Sequence, residues 1–263
     1  RFRIRDWFSW MPDKPWLKLL FRIKNGWWMD FQNPRTFNEK LQWLKIYDYR
    51  PNYSQLVDKY QVKEYVAKKI GSEYVIPTLG VWNSPDEIEW DILPNEFVLK
   101  TTHGGGGCGV VICKDKATLN KDNVLKELNM SMRFSVGNSY REKPYMGVQK
   151  RVIAETLLVA DENEDIRDYK FFCFGGKAKF FKVDLDRFTE HRANYYTLKC
   201  ELLPYGEAAF PPKPSAKIVF PKNLNEMILI AETLSAGIPF LRVDLYNVRG
   251  KIYFGELTFY PAS

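Results

Sequence analysis

The sequence contains few of the residues that build zinc sites and disulfide frameworks. It has four cysteines and two histidines in 263 residues, and no two cysteines form a C-x-x-C pair. Zinc clusters and disulfide-stapled scaffolds require closely spaced sets of these residues. We therefore predict reduced structural thiols rather than a zinc centre or a disulfide framework.

Long apolar runs and lysine-aromatic tracts are also missing. No run approaches the roughly 18 apolar residues of a membrane-spanning helix, and the sequence does not open with a secretory signal. These absences predict a soluble, cytosolic protein. The net charge of +7 favours acidic partners. Because no run of lysines interleaves with aromatic residues, the charge does not predict binding to DNA or RNA.

Aromatic and basic residues are concentrated at the start of the chain. Five of the eight tryptophans lie in the first thirty residues, and residues 1–29 contain seven Arg or Lys against Asp6 and Asp13. One interpretation is a basic, aromatic helix that rests on a membrane surface or an acidic glycan. The other is that the rings cap the folded domain while the basic groups stay in water.

Helices and strands are mixed along the chain without internal repeats. Thr36 and Glu39 form a capping-box pattern that predicts a helix start, and a second helix is predicted over residues 53–70, ended by Gly71. A buried strand is expected near residues 74–82, and two more on either side of the glycine segment. After residue 145 short strands dominate, with Gly175-Gly176 as a tight hairpin turn and an irregular loop over residues 187–217. The fold class predicted is α+β.

The glycine segment "KTTHGGGGCG", residues 100–109, follows a predicted strand. Glycine backbone N–H groups can surround phosphate oxygens, and Lys100 adds a cation. The order excludes a P-loop, whose lysine follows the glycines, and the dinucleotide fingerprint, which opens a helix. A phosphate-covering flap on a β-hairpin remains, with a flexible turn as the alternative.

Two acidic residues lie in the last predicted hairpin, "RVDLYNVRGKIYFGELT". Asp244 and Glu256 lie on opposite faces if the turn has two or four residues. They share a face if Gly250 forms a bulge after a type I turn, and two carboxylates on one face suit Mg²⁺. Two solvated strand acids are the alternative.

Seven segments in order resemble an ATP-grasp enzyme, and more narrowly the teichuronopeptide-biosynthesis type that occurs with bacterial surface-polysaccharide pathways. They are "VDKYQVKEYV", "VIPTLGVW", "FVLKTTHGGGGCGV", "GVQKRVIAE", "DYKFFCF", "FLRVDLY" and "IYFGELTFYP". The resemblance covers about residues 34–263. It implies an ATP-grasp fold with a glycine-flap lid and a mostly antiparallel C-terminal sheet that holds the metal site.

The resemblance implies a role for each matching residue. Lys59 and Lys100 correspond to the lysines that hold the ATP phosphates, and Glu155 to the acid that binds the ribose hydroxyls. Asp244 and Glu256 correspond to the Mg²⁺ ligands, and Arg242 to a cation near the transferred phosphoryl group. The flap and the adenine-reading segment comprise His103, Gly104, Gly105, Gly106, Gly107, Gln149, Lys150, Arg151 and Val152.

The chain departs from the family at two positions and offers further candidates. Thr258 stands where the family often has Asn, which leaves its metal ligation open, and Gln149 stands where an acid is frequent. On the strand "DYKFFCF", Lys170 is predicted to face the nucleotide, and Asp168 is predicted to orient it. The alternative is that the two residues form an exposed pair on an edge strand. A loop is predicted to clamp a carboxylate substrate through Arg187, His191, Arg192 and Asn194.

The resemblance implies an ATP- and Mg²⁺-dependent carboxylate–amine ligase with an acyl-phosphate intermediate. The expected acceptor is a carboxylate of a surface glycan, such as a uronic acid, joined to an amino acid or amine. The expected parts are a lead (1–33), an N-terminal region (34–95), a lid (96–148) and a C-terminal subdomain (149–263). The alternatives are a glycosyltransferase using the Asp184/Asp186 pair and a non-catalytic nucleotide- or glycan-binding protein.

Overall fold

The computed structural model describes residues 10–105, 107, 109–134, 136–159, 166–186 and 190–261. The chain divides into two compact units. The first comprises Arg1–Val62, Pro77–Leu157 and Tyr260–Ser263, and the second comprises Lys63–Ile76 and Leu158–Phe259. Each has one antiparallel sheet with helices packed on it, which confirms the predicted α+β class.

The first unit begins with helices. In chain order they are α1 (Asp13–Asn25), α2 (Phe37–Tyr47), α3 (Tyr53–Val57) and the start of α4 (Gln61–Ile70). Thr36 and Glu39 form the predicted capping box at the start of α2. The single helix predicted over residues 53–70 is wrong, because the chain breaks at Asp58, whose carboxylate accepts hydrogen bonds from the backbone N–H groups of Tyr60 and Gln61.

The sheet of the first unit has four strands in the order β1-β4-β2-β3. The strands are β1 (Thr78–Trp82), β2 (Phe97–Thr101), β3 (Val110–Cys113) and β4 (Val152–Thr156). Between β3 and β4 lie the helices α5 (Lys121–Met132), α6 (Val136–Tyr140) and α7 (Lys143–Met146). One face of the sheet shares an apolar core with α5 through Phe97, Leu99, Val124, Leu128 and Ala154. The prediction of a buried β1 is wrong, since most of that strand is partly exposed at the edge of the sheet.

The sheet of the second unit has five strands in the order β7-β6-β5-β8-β9. The strands are β5 (Asp168–Phe174), β6 (Lys177–Leu185), β7 (Arg192–Thr197), β8 (Phe240–Val248) and β9 (Lys251–Thr258). The predicted Gly175-Gly176 turn is confirmed, since both residues have positive φ and Phe174 pairs with Lys177. The irregular loop predicted over residues 187–217 is wrong in part, because it contains β7.

The two faces of the five-stranded sheet differ in chemistry. One is apolar, carries residues such as Phe171, Val183 and Val243, and packs against α8 (Leu224–Ser235). The opposite face carries charged residues at alternating positions, which we call the charged face: Asp168, Lys170, Lys182, Asp184, Arg242, Asp244 and Glu256. Charged side chains that are buried in this way must be paired.

Neither disulfides nor membrane-spanning helices are found among the described residues. Cys113, Cys173 and Cys200 are free thiols, and Cys108 lies outside the described residues. None of the helices in the described ranges combines the length and the apolar character needed to cross a bilayer.

Candidate functional site

The candidate residues of the first unit include a partly buried ion pair on its sheet. Lys100 on β2 and Glu155 on β4 lie on the face opposite the α5 core, because β2 and β4 are antiparallel with Val98 opposite Glu155. Lys100 Nζ donates to Glu155 Oε2 over 2.5 Å, with 19% of the lysine side chain and 6% of the glutamate side chain exposed. The predicted phosphate-binding lysine and ribose-binding acid are therefore neighbours.

Lys59 reaches the glycine segment from the turn between α3 and α4. Its backbone N–H donates to the Thr102 carbonyl over 3.1 Å, and its ammonium group donates to the Gly104 carbonyl. The two predicted lysines are thus attached to the start of one loop, through Gly104 and through the strand that precedes it. A cation in either position lies beside the glycine backbone that was predicted to surround phosphate.

Thr102 joins the glycine segment to the predicted adenine-reading segment. Its hydroxyl donates to the Gln149 carbonyl over 2.7 Å and accepts from the Arg151 backbone N–H over 2.9 Å, while its own N–H donates to the Arg151 carbonyl. Residues 149–151 have no regular secondary structure, and β4 begins at Val152. Much of the backbone hydrogen bonding of this segment is therefore directed to Thr102.

The side chains of the adenine-reading segment point in different directions. Arg151 forms a 2.8 Å ion pair with the buried Asp58, with its guanidinium carbon 4.8 Å from the centre of the Tyr60 ring. Lys150 donates to the Met132 carbonyl over 2.7 Å. Gln149 is exposed, and its side-chain Nε2 donates to Asn83 Oδ1 over 3.4 Å. The Arg151–Asp58 pair has a structural role that holds the Lys59 turn to this segment.

The glycine segment combines free and crowded positions. Gly107 has φ +80°, and no described atom lies within 4 Å of the place that a Cβ would take there. A Cβ on Gly109 (φ +69°) would instead meet Ser131 Oγ at 2.3 Å. The backbone N–H of Gly104 donates to the Thr101 carbonyl, and Gly105 is partly exposed. Gly106 lies outside the described residues. The segment is packed tightly at its end and open near its middle.

His103 is buried within the first unit. Its Nε2 lies 3.2 Å from the Ser131 carbonyl at the end of α5. Burial lowers the pKa of the imidazole, and the nearby Lys150 and Lys59 cations act in the same direction. The side chain therefore packs against α5, and the part of His103 best suited to contact a ligand is its backbone.

The last hairpin brings Asp244 and Glu256 together by a route that differs from the predicted one. Arg249 and Gly250 form a two-residue turn with φ of +53° and +77°, so Val248 pairs with Lys251. The predicted bulge at Gly250 is wrong. The irregularity lies between Asp244 and Leu245, where Gly255 is the extra residue, and Asp244 pairs with Glu256 beyond it. A Cβ on Gly255 would lie 3.0 Å from the Asp244 carbonyl oxygen, which explains the glycine.

Arg242 connects the two predicted metal ligands. Its guanidinium group donates to both Asp244 oxygens over 2.7 Å and to Glu256 Oε1 over 2.8 Å. It also donates to Thr258 Oγ1 over 3.0 Å, and that hydroxyl donates to Glu256 Oε1 over 3.0 Å. Burial would lower the pKa of Arg242, but the Asp244 and Glu256 carboxylates outweigh burial and raise it.

Lys170 is the second buried cation of the charged face. Its ammonium group donates to Asp168 Oδ2, lies 2.7 Å from Asp244 Oδ2 and lies 3.6 Å from Asp184 Oδ2. Burial opposes the charge, yet these carboxylates raise its pKa overall. Burial would likewise raise the pKa of Asp244, but Arg242 and Lys170 hold it at about 2. The interpretation of Asp168 and Lys170 as an exposed pair is wrong, because both are buried.

A second group of polar residues adjoins Lys170 on the charged face. Lys182 Nζ lies 2.5 Å from Glu207 Oε1 and 3.2 Å from Asp184 Oδ1, and Tyr195 donates to the same Glu207 oxygen over 3.0 Å. His191 stacks on Phe210 with the ring centres 3.9 Å apart. Sequence reasoning missed Lys182 and Glu207, although the alternation Lys182, Asp184 on a strand was a usable signal.

The predicted carboxylate clamp is not formed as one group. Asn194 is fully buried on the apolar face, where its amide exchanges two 2.8 Å hydrogen bonds with the backbone of Lys213. Arg192 pairs with Glu190, and His191 lies 3.5 Å from Asp184 Oδ1. Arg187 lies outside the described residues. Asn194 therefore fastens the irregular segment to β7 and is not available to a substrate.

The residues of the charged face suit a divalent cation. With Glu207 added to the charged face, five carboxylates and three Lys or Arg cations lie in contact with one another, which leaves an excess of two negative charges if His191 is not counted. Asp244, Glu256 and Thr258 offer oxygen ligands, the type that Mg²⁺ prefers, and Mg²⁺ commonly takes one or two carboxylates plus substrate phosphates. No cluster of three or more His, Cys, Asp or Glu with metal-site geometry occurs among the described residues. The donor set therefore fits a metal whose remaining ligands are phosphate and water.

A family profile and a set of solved structures relate the chain to known proteins. A family profile described as TupA-like ATPgrasp matches residues 39–263. No curated protein sequence matches at a significant level.

Solved structures of low identity resemble the chain. A D-alanine–D-alanine ligase from Bacillus anthracis complexed with ATP has 15% identity and a TM-score of 0.45, with 78% of this chain and 54% of that chain covered. The Helicobacter pylori D-alanine–D-alanine ligase has 15% identity and a TM-score of 0.44, with 85% and 62% covered. The ATP-grasp ligase PsnB with Mg and ADP has 12% identity and a TM-score of 0.42, with 80% and 51% covered. The chain thus spans between 51% and 62% of the length of these proteins.

The family match covers most of the chain and includes every segment described above as a candidate site. The chain belongs to the TupA-like ATP-grasp family and has an ATP-grasp fold.

Proposed function

We propose that the protein is an ATP- and Mg²⁺-dependent carboxylate–amine ligase. The observation that carries the proposal is the constellation of Arg242, Lys170, Asp244 and Glu256 on one sheet face, in which Lys170 and Asp244 are buried and Glu256 is partly exposed. Its oxygens suit a metal and its cations suit a phosphoryl group, so it matches the needs of phosphoryl transfer.

The first unit is proposed to bind the nucleotide. Lys59 and Lys100 would neutralise the phosphates, the backbone of His103 to Gly107 would cover them, and Glu155 would accept hydrogen bonds from the ribose. The backbone of Gln149, Lys150, Arg151 and Val152 would read the adenine edge. The contacts of Thr102 with Gln149 and Arg151 support this role, because they hold that backbone in one conformation.

In the second unit, Asp244 and Glu256 are proposed to hold Mg²⁺, with Thr258 as a further oxygen ligand. When bound, the metal would offset negative charge on the phosphates. Arg242 would then stabilise charge on the transferred phosphoryl group, and Lys170 would hold Asp244 in place. Asp168 would orient Lys170 through their hydrogen bond.

The proposed reaction has two transfers. A substrate carboxylate oxygen attacks the γ-phosphorus, the bond to the bridging oxygen of ADP breaks, and an acyl phosphate forms. An amine then attacks the acyl carbon, phosphate leaves, the amine loses a proton, and an amide remains. The protein supplies charge and position, and no protein nucleophile takes part.

We propose a uronic acid of a bacterial surface polysaccharide as the carboxylate and an amino acid or amine as its partner, in the cytoplasm. The family resemblance and the net charge of +7, which favours acidic substrates, support this choice. We also propose that the chain has four functional parts. They are the lead (1–33), the N-terminal region (34–95), the lid (96–148) and the C-terminal subdomain (149–263).

A glycosyltransferase that uses Asp184 and Asp186 is less well supported. Asp184 is buried between Lys170 and Lys182, whereas Asp186 is half-exposed in a turn and pairs with Lys213 over 2.8 Å. Asp184 and Asp186 thus belong to two separate groups of ion pairs, whereas Asp244 and Glu256 share one cation, Arg242. A non-catalytic binding protein would keep the nucleotide contacts but give no turnover.

The experiment that tests the proposal is a screen for ADP release. Purified protein with ATP and MgCl₂ would be offered amino acids together with uronate-containing oligosaccharides, and ADP and the amide product would be measured. We expect ADP release that needs both substrates and is lost in Arg242→Met. Asp186→Asn, which changes a half-exposed carboxylate paired with Lys213, should retain the activity. ATP binding without ADP release from any pair would favour the non-catalytic alternative.

A further inference from the structure

The helix α1 and the residues around it expose large apolar side chains. Trp10 is 73% exposed, Ile23 72%, Trp28 62% and Trp27 47%. Scattered apolar residues are normal on a protein surface, but three tryptophans and an isoleucine within nineteen residues are not scattered. This stretch is therefore a candidate interaction surface.

The outer side of α1 has two adjacent rows of different chemistry. Lys14, Lys18 and Arg22 recur every four residues and form a basic row. The residues that follow each of them, Pro15, Leu19 and Ile23, form an apolar row beside it. Pro15 and Ile23 are exposed and Leu19 is partly so. A basic row next to an apolar row, with tryptophan at the ends, is the pattern of a helix that lies in a membrane interface.

The inner side of α1 is already occupied by the fold. Leu17 and Phe21 pack with Met29 and Phe31 in a buried cluster, and the Trp16 indole N–H donates to the Ser139 carbonyl over 3.4 Å. The helix is thereby held in its rotational position. Its apolar row cannot turn inward without opening this cluster.

The one acidic residue of α1 is neutralised within the fold. Asp13 lies 3.3 Å from Arg141 Nε and 3.9 Å from Lys143 Nζ. The described residues 10–28 contain four Lys or Arg and this one acid. The exposed charge of the surface is therefore positive and complements an anionic surface.

We propose that α1, Trp10 and Trp28 form a peripheral attachment site for anionic phospholipid membranes, independently of the ligase activity. Ile23 and Trp28 would enter the headgroup region while Lys14, Lys18 and Arg22 contact lipid phosphates. An acidic glycan would engage the basic row and stack on tryptophan. Ile23 and Leu19 would contribute little binding free energy to a glycan complex, whereas their burial in a bilayer would favour membrane binding.

Trp27 differs from Trp28 in having a role within the fold. It packs edge-on against Phe21 with ring centres 5.7 Å apart, and its indole hydrogen bond contributes to the low pKa of Glu39, after the hydrogen bonds from Thr36 and Arg35 and against the effect of burial. Trp28 and Ile23 are therefore the better residues for substitution, since their removal leaves the buried cluster intact.

The test is flotation of the full chain with vesicles of phosphatidylcholine alone or with phosphatidylglycerol. We expect binding to the anionic vesicles and weak binding to the neutral ones. The double variant Ile23→Ser/Trp28→Ser should lose most of the binding. Arg22→Glu changes the charge by two units, and each unit should weaken binding to the anionic vesicles by about fivefold. Unchanged unfolding midpoints would show that these variants fold.

Matched controls lie elsewhere in the first unit. Ile92→Ser changes an isoleucine that is 58% exposed, and Lys126→Glu changes an exposed basic residue on α5. Both should bind vesicles like the unaltered chain. Equal binding of all variants, or equal binding to neutral and anionic vesicles, would overturn the proposal.

A binding measurement with soluble polygalacturonate distinguishes the glycan interpretation from the membrane proposal. If the unaltered chain binds soluble polygalacturonate but no vesicles, and Arg22→Glu removes that binding, the surface recognises an acidic glycan and the membrane proposal is wrong. ATP binding measured on the same samples keeps this result separate from the proposed function, because none of these substitutions touches a proposed nucleotide contact.

Discussion

The candidate residues of the two units differ in how their cations are held. In the first unit Lys100 pairs with Glu155 and keeps 19% of its side chain exposed. In the second unit Lys170 contacts Asp168, Asp244 and Asp184, and Arg242 is bound to Asp244, Glu256 and Thr258. Because buried charges depend on their partners, stability and activity should be coupled in the second unit and separable in the first.

The largest effect is expected for Asp244→Asn. It removes the carboxylate that both Lys170 and Arg242 bind, and removing one partner from a buried ion pair costs about 3–5 kcal/mol. Denaturant unfolding should show this loss, together with loss of ADP release. The control Asp186→Asn changes a surface pair and should cost less than about 1 kcal/mol. A stable but inactive Asp244→Asn would mean that the charged face is not needed for folding.

The glycine segment of the first unit should also be coupled to folding at its crowded end, Gly109. In Gly109→Ala the new Cβ would lie 2.3 Å from Ser131 Oγ and 2.7 Å from Thr101 Oγ1, at positive φ. We expect a loss of about 2–3 kcal/mol in the free energy of unfolding, measured by denaturant titration.

Gly107→Ala is the matched control for Gly109→Ala. Gly107 has φ +80° and open space around it, so this substitution should lower the free energy of unfolding by about 1 kcal/mol. It should slow turnover more than it disturbs folding. Equal unfolding midpoints for the two variants would contradict the difference in packing.

Acid should weaken the second unit through Asp244. The pKa of this carboxyl is about 2 in the folded protein and 3.8 in its ordinary state. Because the folded-state pKa is the lower one, the stabilisation is complete above the ordinary pKa and is lost as the pH falls through 3.8 toward 2. The loss amounts to about 2 kcal/mol. Unfolding curves between neutral pH and pH 2 should show it, and Asp244→Asn should lack this contribution.

The smallest change in stability is expected for Lys100→Met. Its pair with Glu155 retains contact with solvent, so the unfolding free energy should fall by about 1 kcal/mol. ATP affinity should fall by about tenfold or more, because a cation beside the phosphates is lost. Isothermal titration calorimetry with ATP and Mg²⁺ measures the ATP affinity. Lys126→Met is the control, and a stability loss as large as that of Asp244→Asn would remove the contrast between the units.

Local sequence patterns predicted the parts of the fold that depend on neighbouring residues. The Thr36–Glu39 capping box and the Gly175-Gly176 turn are confirmed, since each is decided by a few consecutive residues. The break at Asp58 was missed, because a carboxylate that caps two backbone N–H groups is hidden in a helical pattern. The roles of the site residues in ATP and metal binding stay predictions.

The pairing of Asp244 with Glu256 shows the limit of sequence reasoning. Their approach to one face follows from a bulge at Gly255, and the sequence offered Gly250 as an equally suitable bulge residue. Likewise Asn194 looked like a substrate ligand, but strand register turns it to the apolar face. A shift of one residue in register moves every side chain to the other face of a sheet.

The α+β class, the family resemblance and the residue types available for phosphate and metal binding could all be predicted from the amino-acid sequence. These depend on composition, motif order and local hydrogen bonding. Tertiary structure alone decided which of those residues meet: Lys100 with Glu155, Lys170 with three aspartates, and Lys182 with Glu207. The reason is physical, since such contacts join strands and loops far apart in the chain, and their register depends on bulges and burial that no single segment encodes.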